Sequence, residues 1–120
     1  MKLDVKEFLI KISAWINGIG FSGATDYTSA LYSATSSNPW TAPASGVMVI
    51  YSETSGGGRA YWYVNDKTDG IGVARATRLE TANYQLGASF PVVKGHKYYS
   101  EKSGLTTVRH ANLYRIVGGG

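Results

Sequence analysis

The chain contains no cysteine, so disulfides, thiolate metal sites and a nucleophilic thiol are excluded and the fold must rest on packing alone. Proline is scarce, at three residues in 120, which leaves most turns to the fifteen glycines. Long apolar runs are missing as well. The N-terminal apolar stretch is interrupted by Lys6, Glu7 and Lys11 and lacks a small-residue cleavage site, so neither a signal peptide nor insertion into a membrane is expected. The formal charge is +4, yet the twelve Lys and Arg residues are scattered and never run to five together. Nucleic acid is therefore not an expected partner.

The residues that are abundant point to one class. Fifteen Gly and nine Tyr, together with many Ser and Thr, describe an all-β protein with tight turns. A chain of 120 residues suits a single domain that buries roughly two-thirds of its unfolded surface. The reading divides it into an N-terminal helix at 1–20, a linker and first strand at 21–39, and a β-sandwich domain at 40–120.

The helix is read from its ends and its period. Asp4 can cap the N-terminus, Glu7 completes a capping-box spacing, and Leu3 with Phe8 can form a hydrophobic staple. Val5, Phe8, Leu9, Ile12, Trp15 and Ile16 recur at three- and four-residue steps, and Asn17-Gly18 supplies the stop. So short a helix is marginal alone in water and must rest on something. Either it packs on its own sandwich or copies meet along it, and Val5, Leu9, Ile12 and Ile16 are the candidate oligomer interface.

Residues 18–38 are poor in charge and rich in Gly, Ser, Thr and Ala, and read as a linker leading into a strand at 30–34. Further on, strands are expected at 46–53, 59–65, 70–79, 83–89, 97–101 and 105–117, each bounded by turn chemistry. Their short, even spacing predicts a sandwich or barrel. Ser55-Gly56-Gly57-Gly58 is expected to close one tight hairpin and Asp69-Gly70 to end the polar loop of another. Within 59–65 the alternation sends Ala60, Trp62 and Val64 to one face, and Arg59, Tyr61 and Tyr63 to the other. The first face is core. The second is the candidate ligand-binding surface, because tyrosine supplies both contact area and a hydroxyl.

Catalytic constellations find no support. His96 and His110 are the only imidazoles, and neither has a second His or Cys at metal-ligand spacing. Asp66 and Asp69 fall where Asx side chains serve turns. There is no Gly-x-Ser-x-Gly elbow, and the glycine-rich segment 55–59 lacks the signature of a phosphate cradle. No cofactor, no metal and no enzymatic activity are expected.

Several segments carry a resemblance. Trp40-Thr41-Ala42-Pro43-Ala44-Ser45-Gly46 enters the strand Val47-Met48-Val49-Ile50, and Phe90-Pro91-Val92-Val93-Lys94-Gly95-His96-Lys97-Tyr98 announces a late one. Leu113-Tyr114-Arg115-Ile116-Val117 then leads into three glycines. This pattern resembles the small jelly-roll domains of bacteriophage tail, head-fibre and receptor-binding proteins, which are similar in outline to complement and tumour-necrosis-factor-like trimeric sandwiches. It differs from them in having Arg115-Ile116 where a proline is usual. The resemblance covers residues 40–120. It implies a homotrimer on a virion, assembled in the bacterial cytoplasm beside other virion proteins and meeting a host cell-surface glycan or protein. The expected fold is thus an antiparallel jelly-roll-like β-sandwich with a short N-terminal α-helix, and the rival function is a carbohydrate-binding module of a bacterial surface or secreted protein.

Overall fold

Turn residues divide the chain into short extended segments, and in the computed structural model, which describes residues 21–55, 58–80 and 85–116, these segments pair as one long folded ribbon. Eight strands occur among the described residues: β1 (Phe21–Asp26), β2 (Trp40–Thr41), β3 (Gly46–Thr54), β4 (Gly58–Asp66), β5 (Ile71–Glu80), β6 (Gln85–Val92), β7 (Lys97–Ser103) and β8 (Leu105–Ile116). β4 pairs with β5, β3 with β6, β2 with β7 and β1 with β8, all antiparallel. Rolling that ribbon over itself adds the contacts β3 with β8 and β4 with β7. Two four-stranded sheets result, ordered β1-β8-β3-β6 and β2-β7-β4-β5. This is the jelly-roll arrangement, and it bears out the all-β sandwich expectation.

The core lies between the sheets and follows from alternation along each strand. Met48 and Ile50 of β3, Ala60, Trp62 and Val64 of β4, Phe90 and Val92 of β6, Tyr98 of β7, and Ala111 and Leu113 of β8 are buried. Each large apolar side chain so buried contributes roughly 1.5–3 kcal/mol relative to exposure. Trp62 is fully enclosed, and its polar atom is satisfied. Its Nε1–H donates to Ser100 Oγ at 3.0 Å, and that hydroxyl donates onward to the Leu31 carbonyl at 2.7 Å. One serine thereby links β4, β7 and the helix α1 (Thr28–Tyr32).

Two expectations for residues 21–39 are corrected. The expected linker contains a strand, β1, and the expected strand at 30–34 overlaps the helix α1 instead. The Asp26 carboxylate accepts the Thr28 backbone N–H at 2.8 Å, which satisfies one of the free donors of a first helical turn. Thr28 Oγ1 accepts the N–H of Ala111, and the Tyr27 N–H donates to the Ala111 carbonyl, so α1 is tied to β8 on entry. Leu31 then fills the core with no exposed surface. The helix predicted in 1–20, with Val5, Leu9, Ile12 and Ile16, lies outside the described residues, as do Gly56, Gly57 and the terminal glycines.

The two glycine turns behave differently from one another. Gly70 has φ of 70° and closes the β4–β5 hairpin, with its N–H donating to the Asp66 carbonyl at 2.8 Å. The segment around Ser55 and Gly58 is not a hairpin: β3 and β4 belong to different sheets, so it carries the chain across the sandwich edge. Asp66, expected in the turn, is the last residue of β4.

Candidate functional site

Alternation in β4 turns every second side chain to the outside of the sheet, and there the three expected residues meet. The Tyr61 and Tyr63 rings are stacked, with centroids 4.7 Å apart and planes inclined by 29°. The Arg59 guanidinium lies 5.3 Å from the Tyr61 ring centre and donates to the Tyr63 hydroxyl at 2.7 Å. Arg59 is exposed and both tyrosines are half-buried. The cation over the ring face is the favourable orientation for its quadrupole.

A fourth member went unnoticed in the sequence. Arg75 of β5 stands opposite Tyr63, with its guanidinium 4.7 Å from the ring centre. Counting back from the Asp69-Gly70 turn would place Ala74 there. A register shift between Val64 and Asn65 moves the pairing on by one residue and brings Arg75 to the outer face. Gly72 has no side chain where the Arg75 guanidinium packs. On the other side of β4, Glu101 of β7 stands opposite Tyr63 and accepts from Asn65 Nδ2 at 2.8 Å. The face is thus two stacked tyrosines bracketed by two arginines, with one carboxylate held at its margin. Tyr99 belongs to this outer face by its pairing with Asn65, whereas Tyr98 is core. The Tyr98 hydroxyl accepts the Val93 N–H at 2.9 Å, and burial pushes its pKa up.

The structure also joins residues that sequence spacing kept apart. His96 Nδ1 lies 2.8 Å from Asp66 Oδ2 and 3.8 Å from Asp69 Oδ2. The pairing of Asp66 with Tyr98 makes this possible by laying the end of β4 beside the start of β7. Asp66 is almost wholly buried, while Asp69 is exposed. The hydrogen bond to Asp66 raises the His96 pKa. Burial works to raise that of Asp66, but hydrogen bonds from His96, Asp69 and Thr68 together outweigh it and hold the carboxyl below its ordinary value. The three residues offer ligand atoms within 4.8 Å of one another. Both Asp66 oxygens already have protein partners, because Oδ1 accepts the Asp69 N–H at 3.1 Å and Oδ2 faces His96. The cluster therefore acts as a latch between the β4–β5 turn and the loop before β7. His110 is elsewhere, exposed on the other sheet with its ring stacked on Tyr51 at 6.1 Å.

Searches among known proteins returned no matching family model, no matching curated protein and no matching solved structure.

Proposed function

We propose that the chain is a non-enzymatic attachment module of a phage or prophage virion, working as a homotrimer, with the Arg59, Tyr61, Tyr63 and Arg75 face meeting a host cell-surface glycan. The observation that carries this reading is the stacked tyrosine pair bracketed by arginines on an outward sheet face. Tyrosine rings stack on the apolar faces of sugars, and guanidinium groups recognise carboxylates and phosphates with paired hydrogen bonds. Both rings stay partly accessible, with the two guanidinium groups lying over them where an acidic sugar would be met. The jelly-roll strand order is in keeping with the fibre-type domains that the turn motifs resemble.

Replacing Tyr61 and Tyr63 together with serine tests this reading. Adsorption to cells, or binding to a panel of acidic and neutral glycans, is expected to fall at least tenfold with the oligomeric mass unchanged. Unchanged adsorption by a folded double variant overturns it. The same face supports a second reading, a carbohydrate-binding module of a bacterial surface or secreted protein, which is favoured if binding is lost in this way but the parent chain has a solution mass of 12.9 kDa.

A further inference from the structure

The two outer faces of the sandwich have opposite chemistry. One carries Arg59, Arg75 and Glu101. The other, over β1-β8-β3-β6, is nearly free of charge. From β3 it presents Val47, Val49 and Tyr51, and β8 adds Tyr114, Asn112, His110 and Val108. Their neighbours across the ladder are Ala24, Gly87, Ser89 and Pro91. Val49, Val108 and Tyr114 are 39%, 42% and 37% exposed, so large apolar side chains stand in solvent here, with Asn112 and His110 between them. Among the described residues, the formal charges whose positions fall on this face are Asp26, on the edge strand β1, and Glu53, at the far end of β3.

We infer that this face is where copies of the chain meet. The inference rests on the reading of the protein as an assembling module and goes beyond it by naming the surface. Three observations point to a second copy as the occupant. A chain of net charge +4 repels its own copies, and a contact through the arginine-bearing face would set like charges against each other. The face over β1-β8-β3-β6 bears no Lys or Arg at its described positions, so a contact through it avoids that cost. Its composition, with Tyr51, Tyr114 and three valines around Asn112 and His110 and carboxylates only at the margin, suits an interface.

The area also suits. Four strands at about 4.8 Å spacing by about 30 Å of strand give a face of roughly 600 Å², polar positions included. A contact that covers this face on one copy and an equal area on the next buries roughly 1,200 Å² in total, at the lower end of stable specific interfaces. Assembly is therefore expected to be concentration-dependent.

The absence of cysteine makes the test direct, because a single introduced thiol has no native competitor. Ser89→Cys places a thiol opposite Val49 on the neutral face, and Ser103→Cys places one on the opposite sheet. With a short bis-maleimide, Ser89→Cys is expected to give covalent dimers and Ser103→Cys to stay monomeric on a denaturing gel. Val49→Arg is expected to shift the solution mass by light scattering toward 12.9 kDa, with the circular dichroism spectrum unchanged. Should Val49→Arg unfold, the cross-linking pair decides. A parent chain that is monomeric at every concentration overturns both this inference and the proposed trimer. An oligomeric parent that cross-links equally through both thiols, or not through Ser89→Cys, overturns the inference alone.

Discussion

The Ser100 relay offers the sharpest test of how the sandwich is held together. Ser100→Ala removes an acceptor from the Trp62 indole N–H, which is fully buried, and a donor to the Leu31 carbonyl. The indole N–H is then orphaned, at about 1–3 kcal/mol. The Leu31 carbonyl retains the Ala34 N–H at 3.2 Å, so its loss is that of one ordinary hydrogen bond, about 0.5–1.5 kcal/mol. The sum is about 1.5–4.5 kcal/mol, a large fraction of the roughly 5–15 kcal/mol by which such domains are stable. In a domain of this size it lowers Tm by about 8–15 °C. Urea unfolding of Ser100→Ala, Trp62→Phe and the double variant measures it, with slopes checked for constancy. Trp62→Phe removes the donor that Ser100→Ala strands, so the double variant is expected to be at least about 1 kcal/mol less destabilised than the sum of the two. A Ser100→Ala loss below about 0.5 kcal/mol, or strict additivity, refutes the relay as a source of stability.

Gly46→Ala is expected to cost about 3 kcal/mol, because a Cβ at that position collides with the backbone carbonyl of Tyr114 on the adjoining strand. A variant within about 1 kcal/mol of the parent by the same assay shows that the β3–β8 contact yields more easily than the geometry says. The His96–Asp66 latch makes stability depend on pH in two limbs. Because the His96 pKa is raised, its contribution is full below the ordinary value of 6.5 and is lost as pH rises through the raised value. Because the Asp66 pKa is lowered, its contribution is present above the ordinary 3.8 and is lost as pH falls through the lowered value. Thermal melts across pH are therefore expected to show the latch strongest between those values, and His96→Asn to flatten the alkaline limb. An identical slope in parent and variant counts against the latch.

Most of the sandwich was legible because its strands alternate and its turns are chemically marked. The expected strand at 46–53 corresponds to β3, that at 59–65 to β4, and that at 97–101 to the start of β7. The outward grouping of Arg59, Tyr61 and Tyr63 followed from parity alone. β1 was missed because Phe-Ser-Gly-Ala-Thr-Asp has little β-branched or aromatic content, and pairing with β8 imposes its conformation. α1 was missed because five residues are too few for a helical period to show. A run of glycines reads alike whether the chain reverses within one sheet or crosses to the other, which is why the segment after β3 was taken for a hairpin. Arg75 and the His96–Asp66 pair depend on register, which a bulge in one case and a 30-residue separation in the other conceal from local pattern.

The position of β8 between β1 and β3 sets an order on synthesis. On a ribosome adding on the order of 5–20 residues per second, β1 emerges before β8 and, among the described strands, has no neighbour to pair with until β8 has been made. Among the described strands the one sequence-local pairing is the β4–β5 hairpin, so the ribbon is expected to zip outward from that turn, with β1 seated after β8. Such non-local pairing places the domain among slow folders, on the order of milliseconds to seconds. A nascent chain halted before β8 would hold β3 with one edge bare and β1 adrift, both open to pairing with the wrong chain.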